Sequence, residues 1–334
     1  MDYQFAISGC GKIADRHAQE IARRGKLVAV CDIVPERADA LALAYNANPY
    51  YDFDTMLAAE KNLDVVSICT PNGLHASQSI AALQAGLHVL CEKPMCLLTP
   101  DGTAMIAAAE KAHKKLLVVK STRYNPAIVV LKKLFDKGQI GNVYSFQLNC
   151  VWNRPNAYYA NNWRGSLDLD GGTLYTQFSH YIDVLLWLLG DVLDVCGFRT
   201  NRAHQNSIAF EDTGAVALKM QSGAIGTLHY SVNAQLQNHE VSLTIVAEKA
   251  TIKLGGTYLN DLLYQQPALI DVDSLSSGNH ANDYGFYKGS MSNHDKVYEN
   301  VIAALQGADS QVTDGEGALK TVALIEKIYQ QANL

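Results

Sequence analysis

No stretch of the 334-residue sequence approaches the roughly 18 consecutive apolar residues that a membrane-spanning helix requires. The first residues also lack the positively charged region and the apolar core of a cleaved secretory leader. These absences argue against a membrane protein and a secreted one, so we expect a cytoplasmic chain. Proline is scarce, and an apolar share of 48% is ordinary for a folded globular protein.

The sequence has little basic charge. Lysine and arginine number 27 against 33 aspartates and glutamates, which leaves a formal net charge of -6. The basic residues are scattered instead of forming a stripe, and a negatively charged chain repels a phosphate backbone. We therefore expect no nucleic-acid partner.

Paired metal-ligand motifs are missing as well. The seven cysteines are odd in number, and Cys31 and Cys69 lie within apolar, strand-like runs, so we expect reduced core residues. Cys91 and Cys96 bracket a short turn, but no paired CxxC motif and no HxxxH motif occurs. The sequence predicts no metal site.

Short β-branched apolar runs alternate with longer amphipathic runs over about the first 122 residues. The predicted strands are residues 4–8, 27–32, 65–70, 88–91 and 116–121. This alternation is typical of consecutive βαβ units. It predicts a doubly wound α/β domain with a parallel sheet over residues 1–122.

The pattern changes in residues 123–334, where long alternating segments occur at 143–151, 215–220, 224–232, 241–246 and 250–254. They predict an α+β domain with a large, open, mainly antiparallel sheet, and helices at 297–305 and 318–330 close the chain. An uncovered apolar sheet face needs a partner. We therefore expect this domain to bind substrate and to assemble the chain into a homodimer or homotetramer.

The first predicted strand leads into Gly9-Cys10-Gly11-Lys12-Ile13-Ala14, a GxGxxA pattern. The first glycine permits a tight turn, the second lets the backbone approach a pyrophosphate, and the next helix points its N-terminus at the anion. Asp32 ends the second strand, where a carboxylate binds the adenosine ribose and repels the extra phosphate of NADP, although Arg37 lies nearby in sequence. We expect NAD to be bound by Gly9, Cys10, Gly11, Lys12, Ile13 and Asp32.

Four further motifs follow in order. They are Cys69-Thr70-Pro71-Asn72-Gly73-Leu74-His75, Cys91-Glu92-Lys93-Pro94, Arg123-Tyr124-Asn125-Pro126 and the segment from Gly171-Gly172 to His180-Tyr181-Ile182-Asp183. With the GxGxxA turn, this set resembles the Gfo/Idh/MocA family of glucose-fructose oxidoreductase-like and inositol dehydrogenase-like proteins over essentially the whole chain. The resemblance implies a Rossmann domain with further cofactor contacts from Thr70, Pro71, Asn72, His75, Glu92, Lys93 and Arg164.

Lys93 comes just after a predicted strand, at the edge where open α/β sheets hold ligands. The resemblance implies that it faces both nicotinamide and substrate, and that a cis peptide precedes Pro94. A free lysine is a poor base at pH 7, so its pKa must be lowered before it can accept a hydroxyl proton. The alternative is a surface lysine in a turn.

Residues 173–189 read as one helix, on which Thr173, Thr176, Gln177 and His180 share a face at helical spacing. His180 resembles the catalytic histidine of the family, which orients the substrate hydroxyl and shares its proton with the lysine. Inositol-dehydrogenase-like members carry an aspartate where this chain has Thr176. We therefore assign the proton chemistry to Lys93 and His180, and simple polyol substrates become less favoured.

The loop between Trp152 and Gly165 is rich in aromatic, amide and arginine side chains, including Asn153, Arg154, Tyr158, Tyr159, Asn161, Asn162, Trp163 and Arg164. Aromatic faces suit sugar rings or bases, and arginine binds carboxylates and diphosphates. The alternative is a loop that locks domains or subunits together. The substrate-binding candidates are Lys93, Arg123, Tyr124, Asn153, Tyr158, Trp163, Arg164, Thr176, Gln177 and His180.

Within the family, the loop and Thr176 resemble dehydrogenases of UDP-linked N-acetylated sugar acids that supply surface-polysaccharide synthesis. The predicted reaction transfers hydride between NAD and a secondary hydroxyl of a sugar or nucleotide-linked sugar. The alternatives are a free-sugar or sugar-phosphate dehydrogenase, an NAD-dependent glycosidase or dehydratase, and a non-catalytic NAD-binding regulator. The intact pair of Lys93 and His180 argues against the last of these.

Overall fold

The computed structural model describes residues 3–160, 163–273, 275–276, 278–285 and 287–333. The chain forms two compact units, the first comprising Met1–Lys120 and His294–Val322 and the second Ser121–Asn293 and Ala323–Leu334. The sequence predicted one boundary at residue 122 with everything after it in the second domain. In the structure His294–Val322 belongs to the first unit, and a short strand from this range pairs with the first sheet.

Residues 3–120 alternate strands and helices. The elements are β1 (Gln4–Ser8), α1 (Ala14–Arg24), β2 (Lys26–Cys31), α2 (Pro35–Tyr45), β3 (Asn48–Tyr50), α3 (Phe53–Ala59), β4 (Val65–Ile68), α4 (His75–Gln84), β5 (His88–Cys91), α5 (Thr99–Ala112) and β6 (Leu116–Val118). Every residue of β4 is buried, as expected of a parallel strand covered on both faces. The predicted strands all form, and β3 was not predicted.

Residues 121–293 contain α6 (Pro126–Asp136), β7 (Val143–Val151), α7 (Asn156–Tyr159), a π-helical segment (Leu174–Phe178), α8 (Ser179–Leu189), β8 (Val192–Thr200), β9 (Thr213–Met220), β10 (Ile225–Ser231), β11 (Glu240–Ala247), β12 (Thr251–Gly255), β13 (Asp261–Gln266), β14 (Ala281–Asp283) and β15 (Lys288–Met291). The chain ends with α9 (His294–Leu305), β16 (Thr313–Asp314) and α10 (Gly315–Gln331). Among the described residues, no helix has both the length and the apolar character to cross a bilayer.

The sheet of the first unit has the strand order β16-β6-β5-β4-β1-β2-β3. All pairings from β6 to β3 are parallel, and only the short β16 runs antiparallel. From β1 the chain adds β2 and β3 on one side, and then β4, β5 and β6 on the other side, which makes a doubly wound topology. The turns after β2, β1, β4 and β5 therefore lie side by side at one edge, and these turns carry the sequence motifs.

The sheet of the second unit has the order β13-β12-β11-β7-β10-β9-β8, and only the pairing of β10 with β7 is parallel. Alternate residues of β9 are buried and exposed, as expected when one face of a sheet packs on a core. The opposite face exposes Phe198, Ile225 and Val246. The prediction of a large, mainly antiparallel sheet is confirmed, although β8 and β13 were missed.

Candidate functional site

The glycine turn after β1 has the geometry that a dinucleotide requires. Gly9 has a φ of +88°, and a Cβ on it would lie 2.6 Å from the carbonyl carbon of Cys69, so only glycine fits. A Cβ on Gly11 would meet nothing within 4 Å, which leaves open space beside the start of α1. Ile13 at the N-cap has no side-chain oxygen to satisfy the first N–H groups of that helix. The N–H groups of Ala14 and Arg16 bond to the carbonyls of Gly11 and Ile13, and no capping side chain fills the space beside the turn.

Asp32 is fixed at the end of β2 beside this turn. One carboxylate oxygen accepts the backbone N–H of Cys10 at 2.8 Å, and the other accepts that of Val34 at 2.9 Å. Burial, followed by the charge of Asp32, raises the pKa of the Cys10 thiol to about 12, so the thiol stays protonated. Cys10 thus contributes its backbone to the site, and Asp32 contributes a negative charge where the ribose is expected.

The turn after β4 is tied to the turn after β5 through His75. The ring nitrogen Nδ1 lies 2.7 Å from the carbonyl oxygen of Pro94, and Nε2 lies 2.8 Å from that of Thr70. The ring is buried, and burial lowers its pKa. His75 was predicted to bind the cofactor, but the structure gives its side chain a bracing role between two turns. Pro71 and Asn72 lie in the same turn, where Asn72 is buried.

Lys93 follows β5 and is half-buried, with a cis peptide before Pro94 as the resemblance implied. Glu92 was predicted to bind the cofactor, but its carboxylate is buried and accepts hydrogen bonds from His17 and His294. Neither histidine belongs to a motif, so sequence reasoning missed both. The first unit therefore brings the glycine turn, Asp32, the Thr70 turn and Lys93 to one edge of its sheet.

His180 stands just after the π-helical segment in the second unit. The sequence predicted an uninterrupted α-helix over 173–189, but Leu174–Phe178 forms i to i+5 hydrogen bonds before α8 begins. The predicted stripe therefore has a different spacing. His180 is buried, and its Nε2 lies 3.3 Å from Oγ of Ser290 on β15. Insertions of this kind are frequent at functional sites.

Arg123 was predicted to bind substrate, but it forms a bidentate ion pair with Asp183 on α8, with Nε–Oδ2 and Nη2–Oδ1 distances of 2.7 and 2.8 Å. Its guanidinium also lies 5.0 Å from the ring centre of Trp187. Both carboxylate oxygens are occupied, so this pair anchors the 3₁₀ turn Ser121–Tyr124 to the histidine helix. Tyr124 is half-exposed in that turn.

The loop after β7 makes a buried polar network with the π-helical segment. Arg154 donates to Oε1 of Gln177 at 2.7 Å, and Gln177 donates to the hydroxyl of Tyr158 at 3.0 Å. Gln177 was predicted to bind substrate, but it is buried within this network. Thr176 donates from its hydroxyl to Asp170 and is half-buried. The side chains of Gln177 and Thr176 thereby tie this segment to the loop and to Asp170.

The remaining loop candidates are more accessible. Trp163 and Arg164 are half-buried, and the Arg164 guanidinium stacks 4.7 Å from the ring centre of Tyr158. The amide of Asn153 donates to the carbonyl of Ala234. Asn161 and Asn162 lie outside the described residues. The second unit thus gathers a loop with aromatic and cationic groups against the segment that carries His180.

Comparison with known proteins agrees with an N-terminal Rossmann domain followed by a second domain of the same family. Residues 3–120 match the family model described as "Oxidoreductase family, NAD-binding Rossmann fold", and residues 128–253 match that of the Gfo/Idh/MocA C-terminal domain. The D-apiose dehydrogenase of Paraburkholderia graminis is 27% identical over 347 aligned positions, covering 99% of this chain and 88% of that protein.

Two solved structures are similar over nearly the whole chain. The WlbA dehydrogenase of Bordetella pertussis in complex with NADH and UDP-GlcNAcA is 36% identical, with a TM-score of 0.90 over 99% of this chain and 97% of that chain. The WlbA enzyme of Chromobacterium violaceum, also in complex with NADH and UDP-GlcNAcA, is 35% identical, with a TM-score of 0.90 over 99% and 94% of the two chains.

Proposed function

The chain belongs to the Gfo/Idh/MocA family of NAD-dependent oxidoreductases, and we propose that it oxidises a secondary hydroxyl of a UDP-linked N-acetylated sugar acid. The coarser function is a dehydrogenase that uses NAD and acts on a sugar or nucleotide-linked sugar. The observation that carries the finer proposal is the likeness, over the whole chain, to two WlbA enzymes whose structures hold NADH and UDP-GlcNAcA.

The residues of the first unit fit the cofactor. The open space at Gly11 and the close backbone approach at Gly9 leave room for a pyrophosphate next to the N-terminus of α1. The carboxylate of Asp32 stands where it would accept the ribose hydroxyls and repel a 2′-phosphate, and its exposed neighbour Ile33 offers no cation. NAD, when bound, accepts the hydride from the substrate carbon.

The proton chemistry is assigned to Lys93 and His180. Neutral Lys93 takes the proton of the reacting hydroxyl, and His180 holds that hydroxyl by a hydrogen bond through its imidazole. In the reverse direction the ammonium of Lys93 returns the proton. The support is the position of Lys93 at the carboxyl end of β5 and the place of His180 after a π-helical segment.

Substrate recognition is assigned to the accessible part of the loop. Arg164 offers a cation for a carboxylate or a diphosphate, and Trp163 offers an aromatic face for a sugar ring or a base. Tyr158 is buried and supports Arg164 by stacking against its guanidinium. A free sugar or a sugar phosphate would use fewer of these groups. The loop therefore favours a large, anionic substrate.

We also propose that the chain is cytoplasmic and assembles through the open face of the second sheet. Phe198, Ile225 and Val246 are exposed there among polar and small side chains. Covering three apolar side chains is favourable for a homodimer or homotetramer. Light scattering at micromolar concentration tests this, and a monomeric mass would contradict it.

Turnover with a panel of sugars tests the function. Purified protein saturated with NAD receives UDP-linked sugar acids, UDP-sugars, sugar phosphates and free sugars in turn, and nicotinamide absorbance reports reduction. We expect the fastest reduction with a UDP-linked N-acetylated sugar acid. A faster reaction with a free sugar would place the substrate outside the nucleotide sugars, and NAD binding with no reduction by any sugar would indicate a regulator.

A further inference from the structure

A chain of buried polar side chains runs through the first unit beneath the Lys93 turn. Glu92 lies at its centre: Oε1 lies 3.0 Å from Nε2 of His17 and 3.2 Å from Nε2 of His294, and Oε2 accepts the backbone N–H of Lys93 at 3.0 Å. Beyond His17, the ring nitrogen Nδ1 lies 2.8 Å from the hydroxyl of Tyr298. We call Glu92, His17 and His294 the lysine cluster.

The proton positions in the lysine cluster follow from chemistry. An ionised carboxylate only accepts hydrogen bonds, so both imidazoles donate from Nε2. Burial lowers the pKa of His17, which is therefore neutral and accepts the Tyr298 proton at Nδ1; Tyr298 in turn accepts from Ser67 at 2.9 Å. Burial alone would raise the pKa of Glu92, but the hydrogen bonds from the two imidazoles outweigh it and hold the pKa well below its ordinary value.

The lysine cluster joins parts of the sequence that are far apart. His17 lies on α1, the helix that follows the glycine turn, and His294 is the first residue of α9. Both are fully or nearly fully buried. A buried, fully hydrogen-bonded charge fixes the geometry of its partners, because each alternative leaves a polar group unpaired. The carboxylate that the two helices hold in place therefore holds the peptide N–H of Lys93.

We propose that the lysine cluster positions Lys93 for proton transfer, by fixing the backbone from which the amine projects. This inference rests on the proposed function only for the catalytic role of Lys93. Glu92, His17 and His294 are thus positioning residues, and none of them needs to touch substrate or cofactor. His75 acts on the other side of the same turn, since its ring reaches the carbonyl of Pro94.

Two imidazoles and a carboxylate could also bind a metal ion, since their ligand atoms lie within 4.8 Å of one another. Two observations favour the hydrogen-bonded cluster. The two contacts with Oε1 already have hydrogen-bond lengths, and Nδ1 of His294 has no partner among the described residues, whereas metal-bound histidines usually donate their second nitrogen. Metal binding is therefore an outcome that would overturn the proposal.

The first test measures hydrogen exchange at the Lys93 amide in the NAD-bound protein, which needs no substrate. In Glu92→Gln the single amide oxygen cannot serve both the Lys93 N–H and two imidazoles, so exchange should accelerate by about tenfold or more. The matched control is Glu20→Gln, a buried glutamate on α1 that bonds Arg23 and Arg24. Exchange at Lys93 should be unchanged in this control.

A second pair of variants acts from further away. His294→Leu removes the donor, whereas His294→Gln keeps an N–H near the position of Nε2. Lys93 exchange should rise in His294→Leu and return towards the wild-type rate in His294→Gln. This pair of variants tests the positioning role if Glu92→Gln fails to fold. Stoichiometric zinc in the purified wild-type protein, lost in His294→Leu, would show that the cluster is a metal site and would overturn the positioning role.

The third measurement uses turnover once a substrate is found. Misplacement of the amine should lower kcat in Glu92→Gln by roughly tenfold or more while KM for NAD changes less than about twofold. Wild-type exchange and wild-type kcat in both Glu92→Gln and His294→Leu would overturn the positioning role and leave the proposed function standing. If Lys93 exchange changes in the variants as expected but the protein reduces NAD with no sugar, the proposed function alone would be overturned.

Discussion

The turn that carries Lys93 and the helix that carries His180 are held in place by different means. Beside Lys93, buried ionisable groups bind the backbone of the turn directly: Glu92 accepts its N–H and His75 reaches the next carbonyl. His180 instead stands in the first turn of the 11-residue helix α8, which the Arg123–Asp183 ion pair anchors one turn further along. The position of Lys93 should therefore respond to changes in the groups that bond its own backbone, and that of His180 to changes in the contacts that hold its helix.

The capping of the π-helical segment shows how other parts of the second unit hold the region around His180. The backbone N–H of Leu174 donates to the hydroxyl of Tyr329 at 2.9 Å, and that hydroxyl donates to Oε1 of Glu211 at 2.8 Å. Gly172 precedes the segment with a φ of +140°, and a Cβ there would lie 2.3 Å from the Tyr329 hydroxyl. The start of the histidine helix thus depends on a tyrosine from α10.

The largest expected effect separates the chemical roles of Lys93 and His180. Lys93→Met keeps the bulk of the side chain but removes the proton acceptor, so single-turnover hydride transfer should slow by roughly 10² to 10⁴. His180→Asn should lower turnover and weaken substrate binding together, because the imidazole also orients the hydroxyl. NAD affinity should change less than turnover in either variant, since the proposed contacts with its pyrophosphate and ribose come from the glycine turn and Asp32.

The control for this comparison is Lys111→Met, an exposed lysine on α5. Its rate should equal that of the wild type. If both Lys93→Met and His180→Asn are folded, saturated with NAD and as fast as this control, the assignment of the pair is wrong. Tyr124 would then be the first group to examine as the proton acceptor.

The next effect would sharpen the comparison by measuring how a buried titratable group affects the stability of the second unit. Burial raises the pKa of Glu211 from 4.5 to about 7, against the opposing hydrogen bond from Tyr329. The folded state therefore binds this proton more tightly than the unfolded state, so the contribution of Glu211 to stability is greatest below pH 4.5 and is lost as pH rises through about 7. The loss should be roughly 3 kcal/mol at most.

Glu211→Gln removes this titration while keeping the shape of the side chain. Chemical denaturation at a series of pH values should show the wild type losing stability relative to the variant across that window. Above that pH range the difference in free energy of unfolding between the two proteins should be constant. A difference that stays flat from acid to neutral pH would show that Glu211 is ionised throughout, and that Arg199, 3.3 Å away, compensates its charge.

The sequence predicted the first unit better than the second for identifiable reasons. Strands β1 and β5 were predicted to the residue because each is a short, mainly apolar run that ends at a turn before a helical segment. The three-residue β3 contains Pro49 and exposed side chains, so it lacks that signal. The five-residue π-helical segment has no periodicity that distinguishes it from the α-helix continuing after it.

The candidate site was predictable where residues lie in motifs and unpredictable where they meet across the chain. Gly9, Asp32 and Lys93 follow strands, and parallel strands bring their ends together. In the lysine cluster, His17 and His294 lie 75 and 202 residues from Glu92, which no local pattern reports. For the same reason the sequence did not predict that the side chains of Glu92 and His75 are buried against protein groups. Their contact with the cofactor stays a prediction.

A smaller effect tests how the π-helical segment is capped. Tyr329→Phe leaves the Leu174 N–H and a buried carboxylate oxygen each short of a partner, which should lower the free energy of unfolding by about 2 kcal/mol. Tyr230→Phe is the matched control, because its hydroxyl reaches the same Glu211 oxygen at the longer distance of 3.3 Å. Thermal unfolding should show the larger loss in Tyr329→Phe, and an equal loss in both would contradict capping by Tyr329.

The smallest expected effect concerns the first unit, where Asp32 repeats the arrangement seen at Glu92: a carboxylate at a strand end accepts backbone N–H groups of the adjoining turns. Its charge should make NAD bind at least about tenfold more tightly than NADP, or roughly 1.4 kcal/mol. Asp32→Asn keeps one accepting oxygen for the turn but removes the charge that repels a 2′-phosphate. Fluorescence titration with NADH and NADPH should therefore show the preference narrowing in the variant, mainly through tighter NADPH binding. Equal affinities in the wild type would mean that Arg37 dominates the ribose pocket. A loss of both affinities in Asp32→Asn would show that the carboxylate acts chiefly by holding the backbone of the turn, as we propose for Glu92.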